Sequence, residues 1–219
     1  MDHVRENYRI LGQDVGFDPS RSVLAVQVHG CTCREVTEED HGKGLLRPQD
    51  FEADALMTNV PGTALFVFSA DCETILLEDP DSGAVCACHA GWRGTAQDIA
   101  GECVRRMHEV YGSDPARLRA ALGPCIGKTC FETDKDVPDA MIRALGDAAE
   151  EGFSFDGVKY HVDLRALNRL FLIRAGLHPD VIDVSTWCTA CNPDLFWSFR
   201  VHGDSRGSIG AVIVAGGSI

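Results

Sequence analysis

Three observations on the sequence predict an α+β fold, in which one domain forms a layered sandwich of mixed β-sheets flanked by helices. Apolar runs of strand length and amphipathic helical segments intermix along the 219 residues, without the regular alternation of a parallel α/β protein. Neither a fixed-period repeat nor a Gly/Ser-rich or Pro-rich linker divides the sequence. Hydrophobic residues make up 45% and charged residues 24%, which suits a sizeable core. We therefore expect residues 1–219 to form a single domain.

The N-terminal elements are predicted to be a helix, a strand and a loop. Apolar residues at helical spacing near the start of the chain predict a helix that ends at Gly12. Residues 22–29 alternate with the two-residue period of a strand, which would end at His29. Residues 38–48 are polar and contain two glycines, which is typical of a loop.

The central region is predicted to contain three strands and a long helix. Strand-length apolar runs separated by turn signals occupy residues 64–68, 74–77 and 84–88. Thr95 and Asp98 resemble a capping box, in which two side chains satisfy free N–H groups at the start of a helix. Apolar residues then recur at helical spacing, so the sequence predicts a helix from Thr95 to Gly112.

Two helices and five strands are predicted in the C-terminal half. One helix spans residues 137–149, and the other begins after the N-cap residue Asp163 and ends at Gly176. Short apolar runs bounded by turn residues predict strands at residues 119–122, 158–162, 181–185, 195–199 and 209–214.

The charge balance excludes one class of partner. The sequence has 33 acidic and 20 basic residues, a formal net charge of −13, and its basic residues are scattered. Binding a nucleic-acid backbone requires clustered Lys and Arg side chains, so we exclude nucleic acid as the partner. A small anionic substrate remains compatible with this charge, because a few local arginines are enough to bind it.

Membrane insertion and secretion are not predicted either. No apolar run approaches the roughly 20 residues of a membrane helix, and the first residues lack the apolar segment of a signal peptide. We therefore expect a cytoplasmic protein without a membrane partner. In a reducing compartment its ten cysteines are more often buried, catalytic or metal-bound than paired in disulfides.

Three reactive residues lie at the ends of predicted strands. His29 ends the first strand, Cys72 follows the second, and His89 follows the fourth. A hairpin between Cys72 and His89 would bring both to the same end of a sheet. Two imidazoles and one thiolate form a three-ligand zinc site with an open fourth position, where a water is acidified and becomes a nucleophile. Spacing alone leaves open the alternative of a core histidine and a buried cysteine.

Other candidates each have a plainer alternative. Asp71 would orient a metal ligand or transfer a proton, or it only forms a local turn. Arg93, with glycines on either side at a helix start, would bind an anion or be an ordinary surface side chain. The glycine-punctuated residues 123–127 would cradle a substrate or only reverse the chain. Cys188 and Cys191 form a CxxC that could be a redox pair, and no second CxxC completes a zinc ribbon.

Six motifs occur in the order in which a known family carries them: Gln27-Val28-His29-Gly30, Asp54-Ala55-Leu56-Met57-Thr58, Ala70-Asp71-Cys72, His89-Ala90-Gly91-Trp92-Arg93-Gly94-Thr95, Gly123-Pro124-Cys125-Ile126-Gly127 and Cys188-Thr189. Together they closely resemble the multicopper polyphenol oxidase (laccase domain) or YfiH family. The resemblance runs from about Val4 to the C-terminus. Family members usually begin with a further β-rich segment, so we expect this domain to lack the usual N-terminal β segment.

The resemblance implies roles for individual residues. His29, Cys72 and His89 match the three zinc ligands of the family, and together with Asp71 they would form the catalytic site. The implied substrate-binding residues are Gly91, Arg93, Gly123, Cys125 and Arg200. Thr74 stands where a proline is common, and Arg200 is a single arginine where two are common. These departures concern substrate choice and rate more than the metal triad.

The resemblance also implies an activity. Members of the family are described as purine nucleoside phosphorylases with adenosine deaminase activity. The protein would be a cytosolic zinc enzyme that cleaves adenosine, inosine, guanosine or methylthioadenosine with phosphate and hydrolyses adenosine to inosine. Its partners would be a purine nucleoside and phosphate, and it would be a monomer or a small homo-oligomer.

Two other enzyme classes stay open at this point. A cysteine amidohydrolase acting on peptidoglycan precursors would use Cys72 as the nucleophile and His89 as the base. A copper-dependent polyphenol oxidase corresponds to the older description of the family. Copper centres of that kind need several His-rich clusters, and the eight histidines of this sequence are scattered, so zinc is favoured over copper.

Overall fold

The computed structural model describes residues 2–216, and over this range it contains six α-helices and twelve β-strands. The helices are α1 (Asp2–Val15), α2 (Trp92–Ala96), α3 (Ile99–Tyr111), α4 (Asp136–Leu145), α5 (Leu164–Arg174) and α6 (Phe199–His202). The strands are β1 (Ser22–Leu24), β2 (Cys33–Glu35), β3 (Ala55–Thr58), β4 (Ala64–Ser69), β5 (Glu73–Glu78), β6 (Val85–Ala90), β7 (Arg119–Leu122), β8 (Glu132–Thr133), β9 (Phe153–Phe155), β10 (Tyr160–Val162), β11 (Ile182–Val184) and β12 (Ile209–Val214).

The strands form three sheets. The largest has the order β11-β7-β5-β6-β3-β2, with antiparallel pairs in the middle and parallel pairs at both edges. A second sheet has the order β1-β4-β12, in which β1 is parallel and β12 antiparallel to β4. The third is a small antiparallel sheet with the order β8-β10-β9. Parallel and antiparallel pairs share a sheet, which confirms the predicted α+β fold with mixed sheets.

Strand β6 holds two layers of the sandwich together. All six of its residues are buried, because both faces of its sheet are covered. Val85 and Ala87 pack with Leu65 of β4 in the core between the two larger sheets. Cys86 and Cys88 point the other way and pack with α3. This alternation is the two-residue period of a strand, so both cysteines are ordinary strand side chains.

Helices cover the outer faces of the sandwich. Tyr8 of α1 packs on Phe66 of β4, with ring centroids 5.1 Å apart. On the other side, Met107 of α3 and Phe171 of α5 are buried against the largest sheet. A further core lies beneath α4 and α5 and includes Trp92, which also borders the site described below. Among the helices of residues 2–216, none combines the length and the apolar character that crossing a membrane requires.

Several predicted boundaries are confirmed. Asp163 accepts hydrogen bonds from the first N–H groups of α5, and the chain leaves that helix at Gly176, which has a φ of 112°. Gly112 ends α3 in the left-handed conformation that favours glycine. The strands predicted in the central region correspond to β4, β5 and β6.

Two N-terminal boundaries were predicted wrongly. Helix α1 continues through Gly12 to Val15, and the chain turns only afterwards, where the N–H groups of Gly16 and Phe17 bond to the carbonyl oxygen of Gly12. The strand predicted at residues 22–29 ends as β1 after three residues. Beyond it Val26 forms only an isolated bridge with Glu52, and from Val28 onward the main-chain N–H groups bond to a buried carboxylate instead of a neighbouring strand.

The helix predicted to begin at Thr95 is two helices. Thr95 lies inside the short α2, and Asp98 adopts a φ of 61°, which a continuous right-handed helix does not allow. The Asp98 side chain instead caps α3 by accepting the N–H of Gly101 at 2.9 Å. The prediction of a helix from the apolar spacing was therefore correct, but it placed the start of α3 four residues too early.

Residues 195–199, predicted as a strand, form turns and the first residue of α6. Leu195 and Phe199 are 66% and 52% exposed, so this apolar run is not a buried strand. The helix predicted at residues 137–149 ends at Leu145 and continues as a 3-10 segment. Strands β2, β3, β8 and β9 were not predicted, because three of them have only two or three residues.

Replacing Asp98 tests the break between α2 and α3. We expect Asp98→Ala to lower the free energy of unfolding by about 1–2 kcal/mol, because it removes the N-cap acceptor. Asp98→Asn keeps an acceptor and a side chain that tolerates the left-handed conformation, so it should stay close to the unmodified protein. Equilibrium unfolding in urea measures both variants. Equal stability of the two variants would contradict this role of Asp98.

Candidate functional site

The site lies where β5 begins and β6 ends. In this antiparallel pair Glu73 is opposite Ala90 and Thr74 is opposite His89. Cys72 comes directly before β5, so its side chain reaches the same end of the sheet as His89. The predicted hairpin between these two residues is therefore confirmed.

His29 reaches the site through an unusual turn. Its φ is 60°, a left-handed conformation that is uncommon outside glycine. The carboxylate of Asp54 accepts three consecutive main-chain N–H groups there, from Val28 at 3.2 Å, His29 at 2.9 Å and Gly30 at 2.7 Å. These bonds replace the strand ladder predicted for this segment and hold the turn.

The same carboxylate also binds His89. Nδ1 of His89 lies 2.9 Å from Oδ1 of Asp54, and the main-chain N–H of His89 donates to the Asp54 carbonyl oxygen at 2.7 Å. Because the pKa of Asp54 is lowered, its carboxylate accepts and Nδ1 carries the hydrogen; burial opposes this shift, and the bonds from His89 and the main chain outweigh it. Nε2 of His89 is left free to bind a metal ion. A carboxylate bonded to a metal-binding histidine in this way fixes its orientation.

The three predicted ligands converge. Nε2 of His29 lies 3.9 Å from Sγ of Cys72, the His29 and His89 rings are 4.8 Å apart in an edge-to-face arrangement, and the donor atoms of all three residues lie within 4.8 Å of one another. Zinc bonds to sulfur at about 2.3 Å and to nitrogen at about 2.0 Å, so one ion can span these donors. The donor set fits a three-ligand zinc site.

Gly91 makes room for this convergence. A Cβ atom at this position would lie 2.9 Å from Cδ2 of His29 and 3.1 Å from Sγ of Cys72. Any side chain would therefore press on two of the three ligands. Gly91 is not among the residues that line the cavity, so its predicted contact with a substrate stays a prediction, and the observed constraint at this position is steric.

The thiol and imidazole of the triad affect each other's pKa. Burial tends to raise the pKa of Cys72, but hydrogen bonds with His29 and His89 outweigh it and lower the pKa to about 7. Burial tends to lower the pKa of His89, but Asp54 and Cys72 outweigh it and raise the pKa to about 9. Without a metal ion, the geometry therefore favours a thiolate next to a protonated imidazole near neutral pH.

A cavity of about 660 Å³ opens beside the triad, and all three ligands line it. Its wall combines aromatic rings with guanidinium groups, contributed by Phe68, Trp92, Phe131, Phe199, Arg93, Arg200 and Arg206. An apolar wall with a few polar groups is typical of a small-molecule site. The aromatic residues and Arg206 were not predicted as part of the site, although Trp92 and Phe199 are sequence neighbours of the predicted Arg93 and Arg200.

Asp71 lines the cavity and also ties it to distant segments. Its carboxylate accepts hydrogen bonds from the Thr189 hydroxyl at 2.6 Å and from the main-chain N–H of Arg200 at 2.7 Å. Its carbonyl oxygen accepts the N–H of Ile126 at 2.9 Å. Asp71 is thus more than a local turn, and its part in catalysis stays a prediction.

The predicted arginines have different surroundings. Arg200 donates from its guanidinium to the carbonyl oxygens of Cys130 and Glu132. The guanidinium of Arg93 stacks 4.3 Å above the ring of Trp92. Within residues 2–216, Arg93 and Arg206 have no carboxylate partner. In a protein with a net charge of −13, two unpaired cations at one cavity provide a local place for an anion.

Two predicted substrate contacts lie behind the cavity wall. Gly123 packs on Thr74, whose Oγ1 would be 2.4 Å from a Cβ at this position. The thiol of Cys125 is fully buried, donates to Glu73 at 3.3 Å and accepts the Nε hydrogen of Arg165 at 3.2 Å. Neither Gly123 nor Cys125 is among the residues that line the cavity, whereas their neighbour Ile126 is. Their direct contact with a substrate stays a prediction, and the contacts observed are structural.

Fold and site together define a mixed-sheet protein with an imidazole–thiolate centre that opens into an aromatic, arginine-bearing cavity. The chain belongs to the multi-copper polyphenol oxidoreductase laccase family, whose model matches residues 1–216. This confirms the family resemblance seen in the sequence.

Individual relatives carry more specific descriptions. The chain is 36% identical over 200 residues to the purine nucleoside phosphorylase YlmD of Bacillus subtilis (strain 168), covering 90% of this chain and 72% of that protein. It is 34% identical over 205 residues to the adenosine deaminase RL5 of an unknown prokaryotic organism, covering 90% and 76%. The crystal structure of the Bacillus licheniformis hypothetical protein YfiH superposes with a TM-score of 0.93 at 32% identity, covering 98% of this chain and 81% of that one.

Replacing Asp54 tests its control of the ligands. We expect Asp54→Asn to bind zinc about 10–100-fold more weakly, because an amide cannot accept hydrogen bonds at both of its polar atoms. Zinc affinity is measured by competition with a chromophoric chelator. Asp79→Asn is the matched control, since Asp79 is an equally buried carboxylate that accepts hydrogen bonds within the turn before β6. An unchanged zinc affinity in folded Asp54→Asn protein would contradict this role.

Proposed function

We propose that the protein is a zinc-dependent purine nucleoside phosphorylase that also deaminates adenosine. The observation that carries the proposal is the position of the His29–Cys72–His89 centre at one wall of a cavity with aromatic rings and unpaired arginines. The names of the relatives point to the same two reactions. The substrates would be adenosine, inosine, guanosine and methylthioadenosine.

The aromatic wall supports a purine as the ligand. Phe68, Trp92, Phe131 and Phe199 line the cavity. A purine is flat and apolar on its faces, so it gains contact area and favourable ring geometry next to such side chains. The cavity volume of about 660 Å³ lies within the usual range for small-molecule sites.

The unpaired arginines support phosphate as the second substrate. Phosphorolysis replaces the C1′–N9 bond of the nucleoside with a bond from C1′ to a phosphate oxygen, and the freed base takes up a proton. The phosphate must be held next to C1′ before this exchange, which is a matter of positioning and charge. Arg93 and Arg206 line the same cavity as the triad and offer planar, permanently charged donors for phosphate oxygens.

The residues of the triad would hold the metal, with Asp54 orienting His89 and the turn at His29. When bound, zinc supplies a Lewis acid that lowers the pKa of a coordinated water towards neutrality. Deamination exchanges the amino group at C6 of adenine for the oxygen of water and releases ammonia. Gly91 keeps the space at the ligands open, and Asp71 holds the cavity wall through Thr189 and Arg200.

The proposal places the enzyme in the cytoplasm, where the reducing environment keeps the thiol of Cys72 free for metal binding. The same donor set also occurs at copper centres. Elemental analysis of the purified protein distinguishes the two metals, and we expect at least one equivalent of zinc and no copper.

A second candidate function rests on the low pKa of Cys72. A thiolate at neutral pH next to a protonated imidazole is the arrangement of a cysteine hydrolase. In that reaction Sγ of Cys72 would attack the carbonyl carbon of an amide, and His89 would give its proton to the leaving amine. Water would then hydrolyse the resulting thioester, which releases the carboxylic acid and restores the free cysteine. Amide hydrolysis that persists in metal-free protein and is lost when Cys72 is alkylated would favour this function over the first.

Product analysis tests the proposed activity. Protein incubated with adenosine and phosphate should form adenine and ribose 1-phosphate, and these products should be absent without phosphate. Inosine should form under both conditions. Chromatography separates all of these products. No turnover of any of the four purine nucleosides by zinc-loaded protein would exclude the proposed function.

Replacing His29 tests the metal dependence. We expect His29→Ala to lose both the zinc of this centre and both activities, because it removes one of three ligands. His178→Ala is the matched control, since His178 has a 65% exposed side chain outside the cavity. Zinc content and product formation are measured on the same samples. Full activity of zinc-free His29→Ala would contradict a role of the metal in either reaction.

Replacing Arg93 tests phosphate binding separately. We expect Arg93→Ala to raise the KM for phosphate at least tenfold, because a hydrogen bond to a charged group contributes about 1.5–3 kcal/mol. Deamination uses no phosphate, so it should be affected less. Arg117→Ala is the control, since Arg117 is exposed and pairs with Asp81 away from the cavity. An unchanged KM for phosphate would remove Arg93 from the phosphate site.

A further inference from the structure

A second group of metal-binding side chains lies outside the cavity. The Sγ atoms of Cys130, Cys188 and Cys191 lie within 4.8 Å of one another, and those of Cys130 and Cys191 are 3.3 Å apart. None of the three lines the cavity. Cys188 and Cys191 are the CxxC noted in the sequence, and Cys130 joins them from the turn that follows residues 123–127. The fold therefore supplies the third sulfur that the CxxC lacked.

The main chain around Cys188 supports a charged sulfur. The N–H of Gly127 donates to Sγ of Cys188 at 3.1 Å. Hydrogen bonds of this kind stabilise metal-bound ligands and fix their direction. A parallel bridge between Cys125 and Cys188 and the bond from Asn192 N–H to the Cys188 carbonyl oxygen keep this turn in place.

The local structure does not favour a thioredoxin-like redox pair. In such a pair the first cysteine sits at the N-terminus of a helix, which stabilises its thiolate. Here residues 189–191 form a turn, and the next helix, α6, begins only at Phe199. The pair also has a third sulfur in reach, which a two-cysteine redox mechanism does not use.

The other three-cysteine group in the described residues has a different environment. Cys33, Cys86 and Cys103 are fully enclosed in the core between the largest sheet and α3. Hydrogen bonds with Cys33 and Cys86 lower the pKa of the Cys103 thiol, but the neighbouring Cys88 and burial outweigh them and raise it to about 11. These three side chains act as small apolar residues. By contrast, Cys191 is exposed and Cys130 and Cys188 are partly exposed, so an ion from solution can reach them.

We propose that Cys130, Cys188 and Cys191 form a second metal site, which binds one thiophilic cation such as Zn²⁺ through three thiolates. Soft thiolate ligands select zinc among the common divalent ions, and zinc with three protein ligands completes its shell with water or another small ligand. Binding releases the thiol protons to solvent. The proposal does not depend on the proposed enzymatic function.

The position of this site gives it a structural consequence. Arg200 bonds to the carbonyl oxygen of Cys130, and Thr189, inside the CxxC, bonds to Asp71. An ion at the three sulfurs would join the two turns that carry these contacts. The second site would thus brace the cavity wall from outside.

Cobalt binding to full-length Cys72→Ser protein under reducing conditions tests the proposal. That variant lacks the only thiolate of the first site, so the near-ultraviolet charge-transfer band of a thiolate–Co²⁺ bond reports on other cysteines. We expect the band to persist in Cys72→Ser, to disappear when Cys130→Ser or Cys191→Ser is added, and to survive the addition of Cys31→Ser. Cys31 is the matched control, since it is partly exposed and outside all three groups. A band lost with Cys72 alone, or kept when Cys191→Ser is added to Cys72→Ser, would overturn the second site.

Alkylation mapping provides a test that needs no variant. We expect added Zn²⁺ to protect Cys130, Cys188 and Cys191 together and to leave the alkylation of Cys31 unchanged. Equal alkylation of the three cysteines with and without Zn²⁺ would overturn the proposal. A Cys130–Cys191 disulfide that persists in zinc-loaded protein under reducing conditions would overturn it as well. Loss of nucleoside turnover with the second site intact would concern only the enzymatic function.

Discussion

Four N–H groups converge on the buried carboxylate of Asp54, and the geometry of the site depends on them. Moving a carboxylate from water into a protein interior costs several kcal/mol unless hydrogen bonds replace its hydration. Here the donors are three consecutive main-chain groups around His29 and the imidazole of His89. One side chain therefore holds His29 in a left-handed turn and directs Nε2 of His89 towards the cavity. Asp54 also helps to raise the pKa of His89 in the absence of metal.

The rest of the fold brings the third ligand and the substrate wall to this carboxylate. The β5–β6 hairpin fixes Cys72 opposite the end of β6, and Gly91 leaves the space that the three ligands share. Asp71, directly before Cys72, anchors the C-terminal segment through Thr189 and Arg200. The cavity thus has a rigid metal side built on the largest sheet and a second side built from turns. The proposed cysteine site would add a further link between those turns.

Local patterns predicted most of the strands and helices, whereas the assignment of the triad as metal ligands came from the family resemblance. The hairpin between Cys72 and His89 followed from two apolar runs and a turn, and the caps at Asp163 and Gly176 followed from residue type. Asp54 was visible only as part of a motif, because its partners lie 24 to 35 positions away in the sequence. The spacing of residues in the sequence does not reveal contacts over such separations. The strand predicted at residues 195–199 was wrong for a related reason. The apolar side chains of this run lie at the surface or line the cavity and do not pack in a sheet.

A crystal structure of the zinc-loaded protein with anomalous data at the zinc edge tests the central claim most directly, because it locates the ion and the nitrogen that binds it. The account predicts an anomalous peak bonded to Sγ of Cys72 and to Nε2 of both His29 and His89, with Nδ1 of His89 still on the Asp54 carboxylate. Zinc bound through Nδ1 of His89, with Asp54 released, or no peak at the triad in zinc-saturated crystals, would contradict it.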